Sequence, residues 1–302
     1  MIEFESAQVS DRQWVSEKAV KACYMNMEYS FGILYLWKDT YNTKIANADG
    51  FLTARSLYSE GGKEKYIYLF PVGGDGDVKT VIEKLREQSH AEGEKLTFYG
   101  ITDCNKAILE SLYPGEFNFK VNRTTFEYIY NVEDLAYLSG KKYHSKRNHI
   151  TRFEREYYNW DYEEITSENL IECMQMCDKW YAENDVENNP GLQDERHAVG
   201  LAMNDFFALG YEGGLIRYGG EVVAFTFGER LNSSTFILHV EKAFYYMTGG
   251  YAIINREFVK NHLLGKYDYV NREDDVGDEN IRKAKLSYHP SILLEKYIAT
   301  EK

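Results

Sequence analysis

The chain has 302 residues and a formal net charge of −13, which argues against non-specific attachment to nucleic acid or to an anionic membrane and leaves only a local basic patch for either. Its hydrophobic content of 44% is ordinary for a globular protein, and the length suits about two domains. No run approaches the ~18 apolar residues of a membrane span.

Residues 11–27 predict a helix with Trp14, Val15, Ala19 and Val20 on its apolar stripe. The aromatic run 29–37 reads as core or cleft wall. Residues 42–47 and 51–58 predict a strand pair around Asp49-Gly50, a strong hairpin signal. Residues 65–70 alternate as a strand and end at Pro71. After Gly73-Gly74-Asp75-Gly76 comes a helix over 77–92, then a strand over 95–101 and a helix over 103–112 capped by Thr102 or Asp103. Residues 117–120 and 124–130 predict two strands that close the first half.

The second half repeats that order of elements. A helix over 141–157, a strand over 160–165 and helices over 167–184 and 193–209 precede a hairpin, 214–218 and 221–227, turned by Gly219-Gly220. Then follow a strand over 235–241, Gly249-Gly250, a helix over 251–262, a strand over 267–270, a helix over 278–285 and a strand over 291–298. Matching order and spacing predict two copies of one α/β (α+β) domain, each a mixed sheet flanked by helices, over 1–135 and 136–302. The working site is expected in the second copy and a structural role for the first, because Asp75 and Asp77 beside its glycines disfavour a phosphate.

Cys23, Cys104, Cys173 and Cys177 form no C-x-x-C pair, and no other Cys or His stands at ligand spacing near Cys173 and Cys177. They read as small buried residues, and no metal site is expected. The N-terminus predicts no signal peptide, so the chain is expected to be soluble, reduced and cytoplasmic.

Residues 141–155 are the one dense positive stretch, with six Lys or Arg against one Glu. Lys142, Lys146 and His149 share a helical face. The stretch reads either as a solvated helix between domains or as the seat of a phosphate-rich ligand, with Lys146, Arg147 and Asn148 as contacts.

The order hairpin, strand, Gly-Gly, helix, strand resembles the GNAT-type acyl-CoA N-acyltransferase domain, here in tandem. Ser30-Phe31 with Leu36-Trp37, the run from Tyr143 to Ile150, Asn271-Arg272-Glu273-Asp274 and the run from Arg282 to Pro290 resemble the C-terminal domain of phosphatidylglycerol lysyltransferases and its stand-alone relatives. Fem-type peptidyltransferases are similar too. The resemblance implies transfer of an acyl group, often an aminoacyl group from a charged tRNA, to an amine or hydroxyl held between the domains. Full lysyltransferases carry a membrane-embedded half as well, for which no counterpart is read here.

Such a transfer needs an acceptor deprotonated at the right moment and an oxyanion stabilised. Glu241 and His239 lie two apart on one strand and face the same way, as a base and its orienter. Asp274 and Asp275 follow a strand end, where open α/β sheets carry function. Arg272, Arg282, Lys283 and Lys285 interleave with them and suit a phosphate. Gly249-Gly250 at a helix start can cradle a phosphate or form a plain turn. Three readings stand: aminoacyl transfer from aminoacyl-tRNA to a small-molecule, peptide or lipid-headgroup acceptor, N-acylation from acyl-CoA, and a binding protein that keeps the fold without chemistry. No cofactor beyond the co-substrate is expected.

Overall fold

The computed structural model describes residues 1–184 and 186–302. In chain order the elements begin with β1 (Glu5–Ser6), α1 (Arg12–Ala22), α2 (Phe31–Leu36), β2 (Lys44–Ala48), β3 (Phe51–Glu60), β4 (Lys63–Leu69) and α3 (Val78–Ala91). Then come β5 (Thr97–Ile101), α4 (Asp103–Leu112), β6 (Phe117–Val121), β7 (Glu127–Asn131), α5 (Val132–Tyr137), α6 (His144–Glu156), β8 (Asp161–Glu164), α7 (Leu170–Glu183) and α8 (Pro190–Asn204). The rest are β9 (Glu212–Tyr218), β10 (Glu221–Arg230), β11 (Thr235–Ala243), α9 (Gly250–Phe258), β12 (Tyr269–Asn271), α10 (Glu279–Leu286), β13 (Ile292–Leu294) and β14 (Tyr297–Glu301).

Two compact units result, and the chain passes between them more than once. One holds Met1–Glu127, Asp274–Arg282 and Leu293–Lys302; the other holds Tyr128–Glu273 and Lys283–Ile292. The expected single cut at residue 135 is thus replaced by an interleaved division. The first sheet runs β1-β2-β3-β4-β5-β14-β6 and the second β13-β7-β12-β11-β10-β9-β8. In each sheet one parallel pair, β4 with β5 and β11 with β12, sits among antiparallel neighbours. The GNAT-like order is therefore present twice.

The two closing strands depart from expectation. Residues 124–130 do not complete the first sheet: β7 pairs with β12 in the second. Residues 291–298 are not one strand either. They split into β13 in the second sheet and β14, which lies between β5 and β6 in the first.

Local chemistry explains most boundaries. Asp49 (φ +50°) with Gly50 (φ +87°), and Gly219 (φ +61°) with Gly220 (φ +85°), put both loop residues of their hairpins in the left-handed region. α1 stops at Ala22 rather than at residue 27, because Cys23 turns left-handed and its N–H caps the Ala19 carbonyl. Thr102 caps α4, and its N–H and hydroxyl both donate to Asn105 Oδ1. α8 starts at Pro190, earlier than expected, with Asn189 as its cap. α9 ends in a π-helical turn, Val259–Leu263. Each crossover helix buries an apolar stripe, Val81, Ile82 and Leu85 on α3 and Ile253, Ile254 and Phe258 on α9, all 0% exposed. Burying each such side chain stabilises by about 1.5–3 kcal/mol.

Candidate functional site

Glu241 sits near the end of β11 with its side chain 12% exposed. The parallel neighbour β12 delivers Arg272 at its exit, and Arg272 Nη2 donates to Glu241 Oε1 at 2.8 Å. The helix that links the two strands, α9, presents Asn255, whose Nδ2 donates to Glu241 Oε2 at 2.9 Å. The strand–helix–strand crossover thus sets one donor on each carboxylate oxygen. Burial alone would weaken the hold of Arg272 on its proton, but Glu241, Tyr130 and Tyr288 together outweigh it and raise the guanidinium further. Two polar atoms of this group, Arg272 Nη1 and Asn255 Oδ1, are buried and have no hydrogen-bond partner among the described residues.

Lys146 of α6 joins them. Its Nζ lies 3.8 Å from the centre of the Tyr288 ring, and the Arg272 guanidinium carbon lies 4.9 Å from the same centre. Among the described residues, no acceptor holds the ammonium. Burial, and then the Arg272 charge, push the amine down to about 8, against a smaller upward pull from Glu241. Tyr288 is 5% exposed, and burial pushes its phenol up to about 12, so it stays neutral. Arg272 is pinned from behind as well: its carbonyl accepts Lys285 Nζ at 2.5 Å, and Tyr130 OH donates to the Lys285 carbonyl at 2.8 Å.

His239 shares β11 with Glu241 but is no free base. Its Nδ1 meets Glu273 at 2.8 Å and its Nε2 meets Glu229 at 3.1 Å, with the imidazole 2% exposed. Burial would lower it, yet the bonds to Glu229 and Glu273 prevail and hold it at about 9. An imidazolium clamped between two carboxylates has no lone pair to offer. It fastens Glu273, which sits at φ +58°, directly after Arg272.

The remaining expected contacts fall elsewhere. Asp274, Asp275 and Arg282 belong to the first unit, whereas Glu241 belongs to the second. Asp275 is 0% exposed and accepts from Arg282 at 2.8 and 3.0 Å, Arg123 at 3.1 Å and the Gly277 N–H at 2.9 Å, which seals it as a structural anchor. Asp274 accepts the Val276 N–H at 3.1 Å in a local turn. Arg147 donates to the Leu138 and Gly140 carbonyls, so it ties the loop that enters α6. Asn148 pairs with His144 at 3.2 Å, Lys142 is held by Asp134 at 3.1 Å, and Lys283 is exposed on α10.

Gly249 (φ +90°) stands where α9 meets α6. A Cβ there would lie 2.4 Å from the His149 carbonyl oxygen, and the Gly250 N–H already serves the Met247 carbonyl at 2.8 Å. The glycine pair is explained by close packing of two helices. In the first unit, a Cβ on Gly73 would meet the Lys18 backbone at 2.5 Å and one on Gly74 the Phe51 ring at 2.3 Å, so those glycines are packing residues too.

Asn255, Tyr288, Glu229 and Glu273 complete the group without having been singled out. Asn255 carries a visible signal: it is a polar residue among Ala252, Ile253, Ile254 and Phe258 on a helix, where a buried amide needs a partner. Among the described residues, no group of three or more His, Cys, Asp or Glu is placed to hold a metal ion, and no helix is long and apolar enough to cross a membrane.

Relatives agree with this architecture. A crystallised conserved protein of unknown function from Bacteroides thetaiotaomicron is similar at 39% identity over all of both chains, with a TM-score of 0.94. The L-PGS structure from Bacillus licheniformis shares the fold at 17% identity, covering 100% of this chain and 94% of its own, with a TM-score of 0.67. A tandem GNAT protein from the clavulanic acid biosynthesis pathway shares it at 9% identity, 99% and 98% coverage and a TM-score of 0.50. An uncharacterized protein of Mycoplasmoides gallisepticum matches at 25% identity over 186 residues, 59% of this chain, and the chain spans 57% of the length of that curated relative. The family model described as phosphatidylglycerol lysyltransferase, C-terminal, matches residues 24–300, and the chain belongs to that family.

Proposed function

We propose that the chain is an aminoacyl transferase that takes its acyl group from aminoacyl-tRNA in the cytoplasm, with the reacting group in the second unit and the first unit as scaffold. The observation that carries this reading is the Glu241–Arg272–Lys146 group, a partly exposed carboxylate between an arginine and a lysine that lacks an acceptor. The nitrogen or oxygen of the acceptor attacks the ester carbonyl carbon of the donor. The carbonyl–oxygen bond to the ribose breaks, and the proton lost by the acceptor passes through Glu241 to the leaving ribose oxygen. Arg272 holds Glu241 in place.

Acyl-CoA is the less favoured donor. The Gly249-Gly250 turn, where a pyrophosphate would lie against backbone N–H groups, is packed against α6.

The test is transfer of radiolabelled amino acid from a charged tRNA pool to small amines and hydroxyl compounds, with acetyl-CoA in a parallel arm. The reading expects label transfer from tRNA that weakens steeply between 50 and 200 mM salt, as phosphate contacts do. Glu241→Gln should slow it by about 10² or more. Transfer from acetyl-CoA alone, or full activity in Glu241→Gln, overturns it.

A further inference from the structure

The Lys146–Arg272–Glu241 group has unfilled bonding capacity of both signs. On the donor side, among the described residues, Arg272 Nη1 is buried without an acceptor and the Lys146 ammonium has none either. On the acceptor side, Asn255 Oδ1 is buried without a donor, and each Glu241 oxygen accepts one bond where a carboxylate oxygen takes two. Two cations face one carboxylate, so the group is one negative charge short of balance. A buried charged donor left without an acceptor is costly. A ligand that brings an anionic oxygen to the cations and N–H donors to Glu241 and Asn255 fills both sets at once.

We propose that this group is the pocket for a zwitterionic acceptor, a compact amine carrying a carboxylate or phosphate within a few bonds, held by Lys146 and Arg272 at its anionic end and by Glu241 at its ammonium. The proposal rests on the transferase reading and names its acceptor class. Tyr288 forms the wall on which both cations rest, 3.8 and 4.9 Å from its ring centre. A lysyl side chain, cationic and without an anion, does not match two cations. Other charges nearby are spent: Lys285 on the Arg272 carbonyl, Arg147 on the Leu138 and Gly140 carbonyls, and Lys142 on Asp134. His149 is an exposed neighbour of Lys146 on α6. Arg272, Glu241 and Tyr288 face the amine from the other elements. An amine near 8 is what a lysine lacking its counter-ion looks like, and a bound anion should draw a proton back onto it.

The test is calorimetric titration of the full chain at pH 8 in two buffers of different ionisation enthalpy. The probes are glycine and phosphoethanolamine as zwitterions, acetate and inorganic phosphate as anions, and ethanolamine as the bare amine. The zwitterions should bind at least tenfold more tightly than either anion, with proton uptake, and ethanolamine should not bind. Lys146→Met should weaken the zwitterions tenfold or more and remove the uptake, whereas Lys146→Arg should keep binding without uptake. A preference for glycine marks an amino-acid or peptide acceptor; a preference for phosphoethanolamine marks a headgroup-type phosphate. The proposal is overturned if ethanolamine binds as well as glycine, if inorganic phosphate binds as well as phosphoethanolamine, if no probe binds, or if Lys146→Met changes nothing. Zwitterion binding without transfer from any donor would sink the transferase reading and leave the pocket. Transfer to ethanolamine as fast as to glycine would do the reverse.

Discussion

In the first unit Lys296 is fully enclosed, with its Nζ 2.5 Å from Glu28 and 2.5 Å from Glu127. In the second, Lys146 is half-buried beside Arg272 and has no acceptor among the described residues. The partners of the first lysine are themselves held: Glu127 also accepts the Met27 N–H at 2.9 Å, and Glu28 accepts Asn26 Nδ2 at 2.9 Å. Burial would lower Lys296, but Glu127 and Glu28 outweigh it and raise the amine; Lys296 in turn holds Glu28 below the usual carboxylate range. Lys146 moves the opposite way. A buried lysine with carboxylates is a structural lock, and one without them is an unfinished site.

The largest effect should come from opening the lock. Lys296→Met leaves Glu28 and Glu127 buried without a cation, and losing one partner of a buried ion pair costs about 3–5 kcal/mol. Urea unfolding should show that loss, and adding Glu28→Gln and Glu127→Gln should recover much of it. If Lys296→Met were as stable as the parent, the lock would not be one.

His239 comes next, since it is clamped like Lys296 yet lies beside the open group. Its raised value means that its stabilisation is fully present below about pH 6.5 and is lost as pH rises through about 9. The rise from 6.5 to about 9 corresponds to about 3 kcal/mol. Stability measured from pH 6 to 9.5 should therefore fall in the parent more steeply than in His239→Gln. Equal slopes would remove His239 from the clamp.

Much of this contrast was legible in the sequence, though not its cause. Asp49-Gly50 and Gly219-Gly220 mark their hairpins because few residues tolerate φ > 0 at both turn positions. Lys146, Glu241 and Arg272 stand out by charge and by their place at strand and helix ends. The exchange of β7 and β14 between sheets was hidden, because strand pairing joins residues such as Ala299 and Phe98 that no local pattern links. For the same reason Asp275 and Arg282 read as an interleaved charged loop, when they make a sealed pair. Gly249 read as a phosphate cradle, since a glycine needed for close helix packing looks the same in sequence.

That last point can be tested directly. Gly249→Ala places a Cβ 2.4 Å from the His149 carbonyl at φ +90°, so α6 must move away from α9 at a cost of about 2 kcal/mol. Gly219→Ala has open space and pays only for its φ. Thermal unfolding should rank Gly249→Ala clearly below Gly219→Ala; equal values would free the glycine pair for a phosphate.

The smallest effect has the opposite sign and separates the two lysines most cleanly. Because the Lys146 amine is depressed in the folded chain, folding costs free energy at neutral pH, and that cost fades as pH rises from about 8 toward 10.5. The full shift overstates it, since the side chain is only half-buried and solvent screens the charge, which leaves about 1 kcal/mol. Lys146→Met should accordingly raise the melting temperature at pH 7, by a few degrees at most for a chain of this size, and the gain should vanish by pH 10. A residue that destabilises its own fold persists where function needs it. Loss of stability in Lys146→Met at pH 7 would place Lys146 with Lys296 as a structural lysine and close the open site.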